Sequence, residues 1–183
     1  MVIVALASSS YKFSAGDFFL DLGNTVYCTG NLISSPVTPA TMGLKQIDHG
    51  TREYDQMIQL RKQILRQPLG LSFSEDELEH ERHNILIGAY DDDEMLGCCM
   101  LCPINHHTLR LRQMAVQNNL QGKGIGASIM SFAENLARDK GYQKIVMHAR
   151  DTAIGFYEKL GYKVKGDGFI EVNVPHHVME KEL

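Results

Sequence analysis

Leu109-Arg110-Leu111-Arg112-Gln113-Met114-Ala115-Val116-Gln117-Asn118-Asn119-Leu120-Gln121-Gly122-Lys123-Gly124-Ile125-Gly126 is the stretch on which the fold turns. His107–Val116 reads as a strand, but its alternation breaks. Leu109 and Leu111 are apolar in one phase, Met114 and Val116 in the other. Strand side chains repeat every two residues, so the slip predicts a β-bulge between Leu111 and Met114, a device common beside active sites. Gln117–Leu120 is a polar turn, after which the chain enters a helix. Ile125, Ile129, Phe132, Ala133, Leu136 and Ala137 form its buried face, and Gly141 caps it.

Gly122, Gly124 and Gly126 therefore stand between a strand and a helix N-terminus. Glycines let backbone approach an anion, the first-turn amides are unpaired, and the helix dipole favours negative charge. Lys123 adds a cation. Three phosphate ligands compete. The nucleotide P-loop fails because Lys123 is followed by Gly124 rather than Ser or Thr. The dinucleotide fingerprint fails because the spacing is Gly-x-Gly-x-Gly, and the next strand ends in His148 and Arg150 instead of an acid. Coenzyme A is the third, and a tight turn of purely structural purpose is the plain alternative.

Outward from this centre the elements alternate. Towards the C-terminus lie a strand at Lys144–Ala149, a short helix at Thr152–Leu160 ending at Gly161, and strands near Tyr162–Val172 and His176–Glu182. Towards the N-terminus, Leu44–Asp48 is a strand and Arg52–Arg66 a helix stopped by Pro68 and Gly70. Ser74-x-x-Glu77 is a capping box opening an acidic helix. Asn84–Tyr90 and Met95–Cys102 flank the acidic tip Asp91-Asp92-Asp93-Glu94 as a β-hairpin. That tip lacks the further ligands of a calcium loop and reads as a solvated turn. The pattern predicts an α+β fold, a mixed sheet with one parallel crossover.

Gln121-x-x-Gly124-x-Gly126 after Met114-Ala115-Val116, followed by Ala153-Ile154-Gly155-Phe156-Tyr157-Glu158-Lys159-Leu160-Gly161-Tyr162, resembles the GNAT superfamily of acyl-CoA N-acyltransferases. Both motifs occur in order, and the resemblance extends over Leu44–Leu183. The ending from Phe169 to Lys181 is similar to the ElaA-like branch of small bacterial GNAT proteins. The resemblance implies an α/β/α fold whose mostly antiparallel sheet splays open at the bulged strand, with helices on both sides. It implies acetyl-CoA as co-substrate, and an amine of a small molecule or peptide as acceptor, attacking the thioester directly.

Carried over by motif, backbone groups of Met114, Ala115 and Val116 would hold the pantetheine and thioester. Gln121, Gly122, Lys123, Gly124, Ile125 and Gly126 would hold the pyrophosphate. Tyr157 falls at the general-acid position, and a phenol is protonated at neutral pH without tuning. A core tyrosine packed beside Phe156 and Leu160 is the structural alternative. Where many relatives carry Asn, this chain has Arg150, suited to coenzyme A phosphate or an acidic acceptor group. The candidate catalytic bases are Glu171, His176, His148 and Glu81, of which Glu171 and His176 flank the turn at Pro175 near where family members bind the acceptor, and bulk water reached through a water chain is the alternative. Arg61 and Arg66 either line the acceptor pocket or form surface ion pairs. A catalytically silent acyl-CoA-binding module of the same fold is the alternative function.

Composition bounds the rest. The chain has 183 residues, net charge −4 and ordinary hydrophobic content, values of one globular domain with room for an appendage. Mild acidity offers phosphate backbones no general attraction and points, weakly, to cationic acceptors, so no nucleic-acid partner is expected. Cys98, Cys99 and Cys102 crowd one apolar stretch, reading as buried strand residues, and no metal site is expected. A reducing, cytoplasmic setting follows, with no membrane partner. Residues 1–41, nearly free of charge and periodicity, read as a non-essential or disordered extension, and 42–183 as the transferase domain. The resemblance is compatible with a homodimer.

Overall fold

A computed structural model describes residues 42–183, and the expectation for 1–41 lies outside the described residues. Seven strands form one sheet in the order β1-β2-β3-β4-β5-β7-β6. They are β1 (Gly43–Ile47), β2 (Ile85–Asp91), β3 (Glu94–Pro103), β4 (Thr108–Val116), β5 (Lys144–Arg150), β6 (Lys163–Glu171) and β7 (Val174–Glu182). Only β4 and β5 run parallel, joined through helix α3 (Ile125–Asp139). Every other neighbouring pair is antiparallel. The mixed, mostly antiparallel sheet flanked by helices is therefore the architecture expected from the sequence.

Two layers of helix cover the sheet. On one face α1 (Arg52–Arg61) packs Tyr54, Met57 and Leu60 against Leu86, Tyr90, Cys98 and Met100. Thr51 caps α1 at its start, its hydroxyl oxygen accepting from the Tyr54 amide at 3.3 Å. The helix predicted to run to Arg66 widens into a π turn at Lys62–Arg66 and tightens at Gln67–Leu69 before Gly70. The capping box forms as read: Ser74 and Glu77 exchange side-chain-to-amide bonds at 3.2 and 3.1 Å, opening α2 (Glu75–Glu79). On the other face α3 buries Ile125, Ile129, Met130, Ala133 and Ala137 against Ile87, Leu101, Leu109 and Leu111. Helix α4 (Ile154–Lys159) joins this layer through Tyr157.

The phase slip is visible in the register. Cys98 pairs with Ala115 and Met100 with Arg112, so Gln113 and Met114 together oppose Cys99. Gln113 takes φ +54, the left-handed conformation that absorbs the extra residue. In consequence Leu109 and Leu111 before the bulge, and Met114 and Val116 after it, all turn to the α3 core. Cys98 and Cys99 are wholly buried in β3, and burial pushes the Cys98 thiol up to about 12, as an inert core residue should behave.

Candidate functional site

The parallel partnership of β4 and β5 is short. Thr108–Leu111 pairs with Lys144–Met147, and beyond that register the strands part. A cleft of about 710 Å³ fills the divergence, bordered by Gln113, Met114, Met147, His148, Arg150 and Tyr157 among others. On its far edge the bulged half of β4 stays bonded to β3, since the Gln117 amide donates to the Leu96 carbonyl at 3.0 Å. Antiparallel alternation then turns the backbone groups of Val116 and Met114 away from β3, towards the cleft. Met114 and the Val116 amide thus offer strand-type hydrogen bonds where no strand sits, the Val116 carbonyl being taken by the Gln121 side chain, while Ala115 faces β3.

The glycine loop follows the end of β4, where Asn118 and Gln121 border the cleft and Gly122–Gly126 lie just beyond its lining. Gly122 and Gly124 adopt φ +77 and +88, positions that side-chain-bearing residues occupy only under strain. A Cβ on either would meet nothing within 4 Å, so the backbone there is open to an approaching ligand. Gly124 also caps α3, whose first-turn amides are unpaired by the helix. Gly126 has a different reason. A Cβ there would stand 3.2 Å from the Phe156 ring and 3.4 Å from the Met114 methyl, so it permits close packing. Ile125 is a buried core residue. Gln121 spends its side-chain amide on the Val116 carbonyl and the Asn118 side chain, both at 3.3 Å, tying the loop to β4.

Tyr157 lies on the α3 side of the cleft, 6% exposed, edge-on to Phe156 and Tyr162. Burial, reinforced by the nearby Cys99, drives its phenol well above the ordinary value. The ring is thus a core residue that also borders the cleft, with its hydroxyl protonated at neutral pH.

The α1 side is different in kind. Alternation along β4 and β5 opposes Arg110, Arg112, His148 and Arg150 to the core residues Leu109, Leu111, Met147 and Ala149. His148 Nδ1 meets Glu171 Oε2 at 2.9 Å, and its ring stands edge-on to Phe169. His176 donates from Nδ1 to the Val174 carbonyl at 2.7 Å and stacks on Phe169. Glu171 ends β6 at a two-residue turn in which Val172 and Asn173 both take positive φ, bending the chain over the cleft. Arg150 reaches the Leu65 carbonyl at 3.5 Å.

Two candidates need correction. Glu81 is no proton acceptor of the cleft: it is buried, doubly bonded to Arg61 at 2.8 Å, and accepts the Tyr54 hydroxyl at 2.8 Å. Arg61 is likewise neither pocket nor surface but fully buried, its guanidinium stacked on Phe73. A neutral environment forces such charges to pair, and separating them costs about 3–5 kcal/mol. Arg66 does line the cleft, and pairs with Glu77 at 3.0 Å.

Sequence reading singled out His148 and Glu171 separately and missed their union, because 23 residues separate them. It also passed over Arg110 and Arg112. Their signal was present: two arginines alternating with two buried leucines in a central strand mark a charged face over the sheet. Among the described residues, no cluster of three or more His, Cys, Asp or Glu side chains could hold a metal, and no helix is long and apolar enough to cross a membrane.

Known proteins share this fold. Residues 52–162 match the model of the acetyltransferase (GNAT) family. The uncharacterized protein YyaT of Bacillus subtilis is 31% identical over 108 residues, covering 59% of this chain and 71% of its own. Among solved structures, an aminoglycoside 6'-N-acetyltransferase complexed with coenzyme A superposes with TM-score 0.67 at 20% identity, over 76% of this chain and 96% of that one. ElaA of Escherichia coli does so with TM-score 0.67 at 16% identity, over 77% of this chain and 99% of its own.

Proposed function

The chain belongs to the acetyltransferase (GNAT) family, and on that premise we propose that it transfers the acetyl group of acetyl-CoA to a primary amine of a small molecule or peptide, by direct attack in a ternary complex. The observation that carries the reading is the open edge of β4. Met114 and the Val116 amide lie past the point where β5 parts from β4, beside a cleft bordered by Met114 and a buried, protonated tyrosine, while the Val116 carbonyl is held by Gln121. Acetyl-CoA supplies an activated thioester, and everything else falls to side chains and amides of this chain.

The first-turn amides of α3, the open backbone at Gly122 and Gly124, and Lys123 hold the pyrophosphate, with Gln121 bracing the loop and Ile125 and Gly126 seating the helix. Met114 and Val116 hold the pantetheine as a neighbouring strand would, and Ala115 keeps β4 attached to β3. An amide near Met114 stabilises the negative charge that grows on the carbonyl oxygen. Tyr157 delivers its proton to the departing thiolate. On the opposite side, the His148–Glu171 pair accepts the proton that the amine must lose. Arg150 borders the acceptor at the end of β5.

Thiol release from acetyl-CoA, followed with a panel of primary amines, tests the reading. The expected result is release that depends on the amine and yields the N-acetyl product. Tight acetyl-CoA binding with no release for any amine would favour the silent acyl-CoA-binding module.

A further inference from the structure

We infer that the acceptor amine carries an anionic group, a carboxylate or a phosphate, which the arginines on the α1 side of the cleft hold. The inference rests on the transferase reading above and adds the substrate class. Four arginines line the cleft, Arg66, Arg110, Arg112 and Arg150, against two glutamates, Glu77 and Glu171. The glutamates are already engaged: Glu77 with Arg66, and Glu171 with His148. Glu81 is closed in with Arg61, and Asp151, next to Arg150 in the chain, pairs with His177. Arg110, Arg112 and Arg150 therefore form no ion pair among the described residues. Arg110 Nε is buried without a protein partner, and Arg150 has one long bond to a carbonyl.

Arg61 shows what a structural arginine looks like in this molecule: bidentate to a carboxylate, stacked on an aromatic ring, inaccessible. Of the cleft arginines only Arg66 resembles it, paired with Glu77 and stacked on Phe73; among the described residues, Arg110, Arg112 and Arg150 have neither a carboxylate nor an aromatic ring against them. Neighbouring guanidinium groups without a carboxylate partner favour an anion, and a planar fork matches carboxylate or phosphate oxygens. Their position assigns the anion to the acceptor. Arg110 and Arg112 precede the bulge on the α1 face, whereas the glycine loop lies beyond the end of β4 at the start of α3. The overall charge of −4 is thus misleading about this site, which is locally positive.

The test uses the full chain with acetyl-CoA and matched acceptors: ω-amino acids against their amides, and aminoalkyl phosphates against the corresponding amino alcohols. The anionic member of at least one pair should be acetylated with kcat/KM about tenfold or more above its neutral partner. Whichever arm shows the preference identifies carboxylate or phosphate. Arg110→Gln and Arg112→Gln should each erode that preference by about tenfold through the acceptor KM, leaving the acetyl-CoA KM within about twofold. Arg112, which is exposed, keeps the test informative if Arg110→Gln folds poorly. Neutral amines turned over equally well would overturn the inference while leaving the transferase reading intact. So would variants that raise the acetyl-CoA KM instead. Binding of acetyl-CoA without turnover of any amine would bring down the transferase reading, and this one with it.

Discussion

The two halves of β4 differ by one residue in their bookkeeping and by everything in their use. Thr108–Leu111 is bonded to β3 on one side and β5 on the other, with Leu109 and Leu111 buried beneath it. Met114–Val116, past the extra residue at Gln113, keeps β3 but loses β5, and its free edge borders a cleft. The first half is scaffold and the second an open edge, so a sheet can open a cleft without a dedicated loop. A bulge re-aims the strand and the neighbour turns away, while packing on the α3 side continues across the break because the apolar phase slips with the bulge.

If that division of labour holds, damage to each half should read out differently. Leu109→Ala removes a fully buried side chain from the closed half and should lower stability by about 3 kcal/mol in denaturant titration. Turnover per folded molecule should stay the same; a matching loss of turnover would break the contrast. Tyr157→Phe, beside the open half, should behave in the opposite way. Turnover should fall about a hundredfold with acetyl-CoA affinity nearly unchanged, as expected for loss of a proton donor. Equal turnover in the variant would return Tyr157 to a purely packing role. Glu171→Gln is the mildest. The His148–Glu171 contact is half exposed, so stability should move by less than about 1 kcal/mol while turnover falls about tenfold. Steady-state kinetics beside thermal unfolding would separate the two effects.

The same contrast explains what the sequence could tell. The scaffold half, the bulge and the glycine loop were legible because they are local. Apolar alternation reverses within eight residues of β4, and a left-handed glycine at a helix start leaves a mark in sequence. Tyr157 was legible through its motif. The acceptor side was not, because it is built from side chains that meet only across the sheet. His148 and Glu171 come from separate strands, and Glu81, sitting in an acidic segment that looked solvated, proves to be the buried partner of Arg61. Arg61 did leave a trace: seven residues after Tyr54, it falls on the buried stripe of α1. The two arginines of β4 left another, in alternation with its leucines. Charge over the whole chain carried no such information, since its sign is opposite to that of the cleft.

Residue-resolved amide hydrogen exchange, with and without acetyl-CoA, probes the open edge most directly. Acetyl-CoA should slow exchange at Met114 and Val116 and in the first turn of α3, and leave Leu109 and Leu111 as they were. Protection spread evenly along β4, or none at Met114 and Val116 with acetyl-CoA bound, would contradict the assignment of that edge as the place where the thioester is held.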